Sequence, residues 1–309
     1  MRPTRPNSML TITPKTVLPI VLAMVLSNIA SAAELGGSFS VGIEHDSNVG
    51  VDELDRSSNL SDLGRLISFG TDLKHDFSDT TSARIIYDFS TTSYAEFEKL
   101  SRKTHSIGGS INRKFDGLTA GLSYFLADTK LDNQSFLAYQ RISPSLSGFA
   151  TKRWFFRGAY VFGDKTLERR PGRDSSFHSV ETEGYYFWRG LRRYLNLGYA
   201  FRDEDSRADR FDYKSHLVKV RFVERFQLGE SLSTLEIGAR YEKRDYSAIT
   251  PSIGQERFDN RTRVLINFDH PLTPRLHWRF YGDYSDYKSN VPSADYEQLI
   301  LGSAMEWRF

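Results

Sequence analysis

The last eleven residues, LILGSAMEWRF (299–309), alternate in character up to the final atom of the chain. Leu299, Leu301, Ser303, Met305, Trp307 and Phe309 share one parity, and Ile300, Gly302, Ala304, Glu306 and Arg308 share the other. Side chains of a β-strand point to opposite faces in turn, so this segment has one greasy face and one small or charged face. Terminal residues in water are usually frayed and polar. A strand that stops on an aromatic ring needs one face covered while the other tolerates charge.

The same two-residue period recurs upstream. STLEIGARYEKR (233–244) puts Leu235, Ile237, Ala239 and Tyr241 opposite Glu236, Arg240, Glu242 and Arg244. RLHWRFYGDYSD (275–286) puts Leu276, Trp278, Phe280 and Tyr284 opposite His277, Arg279 and Asp283. RFDNRTRVLINFD (257–269) and RYLNLGYAFRDE (193–204) behave alike. These runs are about 10–14 residues, longer than the usual sandwich strand of about 5–6 and long enough to cross a bilayer as tilted strands.

About fourteen such segments fit the chain, near 36–46, 64–76, 81–94, 103–115, 118–130, 135–147, 152–164, 176–188, 192–204, 212–226, 231–245, 257–269, 274–287 and 297–309. Every second joint is tight: FSDTTS, FDG, GFAT, RGLR, LGES and HPLTP. The other seven are expected to be longer and polar, as in TLERRPGRDSS and SAITPSIGQ. An even strand number with short turns on one side and long loops on the other is the pattern of a transmembrane antiparallel β-barrel. Both termini are then periplasmic.

The beginning of the chain agrees with export. Arg2, Arg5 and Lys15 precede VLPIVLAMVL (17–26), an apolar run too short to span a bilayer, and Ala30-Ser31-Ala32 offers a small-x-small cleavage site. Segment 1–32 is expected to be a cleaved signal peptide and 33–309 a single barrel domain; Met9 is an alternative start. Taking the three basic residues of 1–32 from 41 leaves 38 Lys and Arg against 39 Asp and Glu, which argues against nucleic-acid binding. The absence of cysteine removes disulfide and thiolate chemistry. Bacterial outer membrane is the expected location, with lipid and lipopolysaccharide around a monomeric barrel.

Two resemblances add to this. Leu301, Met305, Trp307 and Phe309 resemble the C-terminal signal by which outer-membrane proteins are recognised for insertion, which implies the barrel-assembly machinery as a partner. The first strand runs into its loop as VGIEHDSNVG (41–50). Asp46, Ser47, Asn48 and Val49 resemble the opening of the C-terminal barrel of surface lipoprotein assembly modifiers and related exporters. That family carries helical repeats before its barrel, whereas here few residues separate the expected cleavage site from the first strand. The resemblance implies export assisted by a periplasmic partner that supplies client recognition.

No catalytic constellation stands out. The seven histidines (45, 75, 105, 178, 216, 270 and 277) are scattered, without triad or metal-ligand spacing, so no enzyme, metal or cofactor is expected. DSNVGVDELD (46–55) fails the EF-hand pattern, with Val51 in place of Gly and Ser57 in place of Glu. It reads as a solvated acidic loop in which Asp46 and Asn48 bond their own turn.

The lumen parity is more informative. Arg202, Lys219, Arg221, Arg240, Arg244, Arg261, Arg263 and Arg279 point inward, interleaved with Glu204, Glu236, Glu242, Asp259 and Asp283. They read either as cross-strand ion pairs that rigidify the interior or as a basic lining of a pore. The N-terminal half places Ser38, Ser40, Gly42, Ser68, Gly70, Gly108, Ser110, Gly121 and Ser123 inward, small groups that leave volume. The function expected is a passage: an export barrel first, a diffusion channel for anionic or sugar-like solutes second, a purely structural barrel third.

Overall fold

The computed structural model describes residues 33–50 and 54–309. The expected signal segment 1–32, with its cleavage site, lies outside the described residues. Fourteen antiparallel strands close into one barrel. They are β1 (Ala33–Asp46), β2 (Asp62–Asp76), β3 (Thr81–Tyr94), β4 (Arg102–Phe115), β5 (Leu118–Leu131), β6 (Gln134–Phe149) and β7 (Trp154–Leu167). They continue as β8 (Ser175–Phe187), β9 (Arg193–Ser206), β10 (Tyr213–Leu228), β11 (Ser231–Thr250), β12 (Gln255–Pro271), β13 (Leu276–Ser289) and β14 (Tyr296–Arg308). Among the described residues no helix is long and apolar enough to cross a membrane.

Burial is inverted relative to a protein folded in water. Ile43, Val180, Leu197, Tyr241, Ile266 and Phe280 are exposed on the outer wall. Ser40, Glu44, Asn196, Glu204, Glu242, Asp259 and Asp283 are buried inside. A continuous apolar exterior of this extent is stable only against lipid. Closure satisfies every strand edge, which lipid requires because it offers no hydrogen bonds.

The seam joins β1 to β14 from Ser38↔Arg308 to Asp46↔Ile300. One step beyond, Phe309 N donates to Gly37 O and Gly37 N donates to Phe309 O, both at 3.0 Å. The Phe309 ring lies over Gly37, where a Cβ would come within 2.5 Å of it. Only glycine allows that approach. Leu299, Leu301, Met305 and Trp307 continue up the same outer face, all exposed.

Aromatic rings mark both edges of the apolar belt. On the periplasmic side Trp154 contacts Phe156 and Tyr186 at centroid distances of 5.7 and 4.9 Å, and Tyr186 meets Trp188 at 4.8 Å. Towards the loops, outward tyrosines turn their hydroxyls to polar groups on the next strand. Tyr87 bonds His105 Nδ1 at 2.9 Å, Tyr199 bonds His216 Nδ1 at 2.8 Å, and Tyr241 donates to Asn260 Oδ1 at 2.8 Å. Rings with an apolar body and a polar tip suit a membrane interface.

Two joints differ from the sequence reading. The β5–β6 connection is not a long loop but the two residues Asp132 and Asn133, at φ 49° and 59°. Asp and Asn tolerate the left-handed region, and two such residues form the tight turn that matches strand twist. Strict short/long alternation therefore fails there. The β11–β12 joint is also shorter than expected, because the strands run on to Thr250 and from Gln255 across a register shift between Asp245 and Ile249.

The topology sets an accessibility test. A peptide tag inserted at 168–170, in the β7–β8 loop, is expected to be reached by antibody on intact cells. Labelling only after the outer membrane is permeabilised would reverse the assigned orientation.

Candidate functional site

The described residues of the loop between β1 and β2, called L1 below, differ from the solvated acidic loop expected, because several of them are buried. The base of L1 is a clasp built by the four residues singled out in the sequence. Asp46, Asn48 and Val49 are buried. Asp46 Oδ1 accepts the Asn48 amide at 2.9 Å, the Asx turn expected, and also Gln298 Nε2 at 2.9 Å. Tyr94 donates to Asp46 Oδ2 at 3.1 Å. Ser47 exchanges backbone and hydroxyl bonds with Leu299 at 3.0 and 2.8 Å.

Asn48 holds the returning limb. Its Oδ1 accepts the amides of Ser58 and Asn59, each at 3.0 Å, and its Nδ2 donates to Glu297 O at 3.0 Å. Val49 N donates to Leu60 O at 2.7 Å. Few residue types combine an acceptor and a donor on one short side chain as asparagine does. Both limbs of L1 and the start of β14 are thus tied together.

The far end of L1 lies in the barrel mouth. Leu54 packs against an apolar cluster around Phe136 and Leu167, on β6 and β7. The next residue, Asp55, is 9% exposed and meets four guanidinium groups. Arg173 Nη1 lies 3.1 Å from Oδ2, Arg257 Nη1 3.4 Å from Oδ2 and Arg244 Nη1 4.0 Å from Oδ1, and Arg261 Nη2 donates to Oδ1. These come from the β7–β8 loop, β11 and β12, so two consecutive residues of L1 contact the mouth from β6 round to β12.

Burial alone would push the Asp55 carboxyl up, but Arg261, Arg257, Arg244 and Arg173 overcome it and hold the carboxyl far below the usual range. A group whose folded pKa is lowered keeps its stabilising contribution above its unfolded pKa and loses it only as pH falls through the folded value. Acidification to about pH 4 is therefore expected to leave L1 docked. Pepsin digestion at that pH checks this: cleavage of the intact barrel within 47–61 would contradict it.

The arginines around Asp55 are held by aromatic faces and further carboxylates. Arg244, Arg257 and Arg261 lie over Tyr213, Tyr246 and Tyr287 at 4.9, 4.7 and 5.1 Å. Arg257 makes a two-pronged contact with Asp259, at 2.8 and 2.7 Å, and Arg244 Nη2 reaches Glu242 at 3.0 Å. A cavity of about 430 Å³ lies beside this cluster, bordered also by Tyr139, Lys165, Arg202 and Arg240.

The eight inward basic residues separate into groups. Arg244 and Arg261 belong to the L1 dock. Arg263 and Arg279 pair with wall carboxylates: Arg263 Nε lies 2.8 and 2.7 Å from the Asp283 oxygens, and Arg279 Nη1 lies 2.6 Å from Glu306. Arg202 stacks on Phe177 at 4.1 Å with Glu204 at 3.7 Å, and Arg221 pairs with Glu236 at 3.7 Å. Arg240 is half-buried on the cavity wall, and no carboxylate oxygen lies within 4.0 Å of it among the described residues. Lys219 bonds Glu183 and borders a second cavity of about 270 Å³ with Ser123, Arg141 and Arg157.

Arg173, Arg257 and Lys165 escaped the sequence reading. The first sits in a loop, where no period exists. Arg257 shares the lumen parity of Arg261 and Arg263 but stands at the first position of its expected segment, and Lys165 lies one residue past the end of its own. Asp55 carried no signal, since what it touches is distant in the chain.

The histidines do not converge. His105 and His216 face outward beside tyrosines, and His277 bonds Asp269 at 2.8 Å. Ser233 Oγ lies 2.8 Å from His270 Nδ1, but Ser233 is fully buried, so no substrate carbonyl reaches its oxygen. Among the described residues no three His, Asp or Glu side chains gather as a metal site would require.

No protein-family model and no curated protein match this sequence. Solved structures do match in fold. Outer-membrane-expressed OmpT of Vibrio cholerae is similar at TM-score 0.53 and 9% identity, over 90% of this chain and 97% of that one. An anion-selective porin from Comamonas acidovorans is similar at TM-score 0.51 and 10% identity, over 90% of this chain and 99% of that one. OmpF of Salmonella typhi gives TM-score 0.50 at 10% identity, over 90% and 97%. This is an outer-membrane β-barrel, and its place is the bacterial outer membrane.

Proposed function

We propose that this barrel is an outer-membrane passage that favours anionic solutes and is narrowed at its extracellular mouth by L1. The observation that carries the reading is the docking of Asp55 among Arg173, Arg244, Arg257 and Arg261 beside a basic cavity. Fixed positive charge in a confined aqueous space raises local anion concentration. Arg202, Lys219, Arg221 and Arg240 line the path in this reading, with Arg244 and Arg261 at its mouth. Arg263 and Arg279 brace the wall.

Planar-bilayer recording tests it. The wild-type protein in a salt gradient is expected to give an anion-preferring reversal potential. Replacing Arg202, Lys219 and Arg240 together by Gln is expected to move that potential towards cation preference, most clearly at low ionic strength, where the Debye length is about 30 Å at 0.01 M. Arg263→Gln with Arg279→Gln is expected to leave the potential in place and weaken the fold. An unchanged potential in the triple variant would overturn the reading.

A second reading, export with a periplasmic partner, is supported by one observation. The residues by which the chain resembles the barrels of surface lipoprotein assembly modifiers, Asp46 to Val49, build the L1 clasp on β14. Crosslinking from the periplasmic turn at 188–192 to a second protein would favour it. In either case we read the barrel as monomeric and non-enzymatic, inserted by the assembly machinery after loss of segment 1–32, with lipid and lipopolysaccharide around it.

A further inference from the structure

The arginine cluster at the mouth has more donors than Asp55 uses. Arg257 and Arg261 are buried, and the Nε atoms of Arg244 and Arg261 are buried without a hydrogen-bond partner. A buried N–H left unpaired is costly. The acceptor supplied by L1 is one flat carboxylate with two oxygens. Six cations border the cavity, Arg173, Arg202, Arg240, Arg244, Arg261 and Lys165, with the carboxylates Asp55 and Glu204, and Arg257, Asp259 and Glu242 pair with this group away from the cavity wall. Without Asp55 the group has seven positive side chains and three negative ones, and six of the positive ones border a cavity of about 430 Å³.

We infer that this cluster is a binding site for a tetrahedral oxyanion, a phosphate or sulfate group free or carried on a solute, and that Asp55 is a tethered competitor for it. A phosphate monoester presents three terminal oxygens and up to two negative charges, and planar guanidinium forks bind such groups with paired hydrogen bonds. The extra oxygens take the Nε–H donors that a carboxylate leaves unpaired. Because Asp55 and Leu54 are adjacent, an anion that displaces the carboxylate also loosens Leu54 from Phe136 and Leu167. Solute binding and release of L1 are then one equilibrium, and the observed affinity is reduced by the fraction of docked loop.

The inference deepens the passage reading and rests on it for its physiological meaning, but its test is independent of conduction. Refolded wild-type, Asp55→Asn and Arg257→Gln/Arg261→Gln proteins are titrated calorimetrically with inorganic phosphate, sulfate and glucose 6-phosphate at constant ionic strength. Asp55→Asn is expected to bind at least tenfold more tightly than wild type, and the double arginine variant is expected to bind none of the anions. Preference for glucose 6-phosphate over phosphate identifies a carried group; the reverse identifies a free ion. Equal affinity in Asp55→Asn and wild type, or no binding in either, overturns the inference.

A second measurement covers misfolding of those variants. The chain has no cysteine, so Leu54→Cys gives a single reporter at the dock. Phosphate is expected to speed its thiol labelling at least fivefold over chloride of equal ionic strength, and equal rates overturn the inference. Phosphate binding in a barrel that does not conduct would sink the passage reading alone. Conduction without phosphate binding would sink the inference alone.

Discussion

Deleting Phe309, or changing Trp307→Asp with Phe309→Asp, is expected to leave the chain in the periplasm, where it is degraded. Membrane partitioning does not account for so large an effect. A charge on the lipid face of a barrel costs about 2–4 kcal/mol at the midplane for Arg or Lys, less for Asp, and about 0–1 near the interfaces, where these residues sit. The two backbone bonds between Phe309 and Gly37 are worth about 1 kcal/mol each. Against a barrel closed by fourteen strand pairings these losses are modest. The predicted failure is therefore one of recognition before folding. Heat-modifiable migration of membrane-extracted protein measures it, and normal amounts of folded double variant would refute it. Gly37→Leu separates the two effects: it obstructs the Phe309 ring in the finished seam but leaves the C-terminal pattern readable.

The second large effect is expected at L1. Asp55→Asn keeps the shape of the side chain and removes the charge that four arginines surround. Removing one partner of a buried ion pair costs about 3–5 kcal/mol because the other charges are left uncompensated. Undocking the loop relieves that cost, since the arginines regain water. The loop is therefore expected to leave the mouth while the clasp at Asp46–Val49 stays formed, and single-channel conductance is expected to rise several-fold. Wild-type protein in about 1 M salt, where the Debye length is about 3 Å, is expected to move part of the way, although buried pairs are screened less than exposed ones. If Asp55→Asn conducts as wild type does while L1 stays protected from protease, the loop does not control the mouth.

The fourteen strands were legible because a membrane barrel writes its fold locally. Each residue faces lipid or lumen, so its parity alone sets its required polarity, as Leu299 to Phe309 show. Strand ends came within a few residues for most elements. Exceptions occurred where local pattern weakens: at Asp132-Asn133, whose turn geometry depends on φ, and in the β11–β12 hairpin, where a register shift prolongs pairing. The Asx turn at Asp46 and Asn48 was legible too, since it closes over two residues.

Parity also gave which arginines point inward, but not what they do there. Arg240 and Arg263 are cross-strand neighbours with the same parity, yet one lies on a cavity wall and the other is held by Asp283. That difference arises from which strands are adjacent and how far their registers are staggered. Where the far end of L1 docks was beyond the sequence. Asp55 meets Arg261 across 206 positions of chain, a contact that exists only once the barrel has closed and brought β12 beneath the first loop. Sequence alone determined the inside, the outside and the ends of this barrel, because those follow from each side chain's preference for water or lipid. Only the tertiary structure decided what occupies the mouth, because charge pairing depends on distance in space, and a loop without a period carries no record of where it will land.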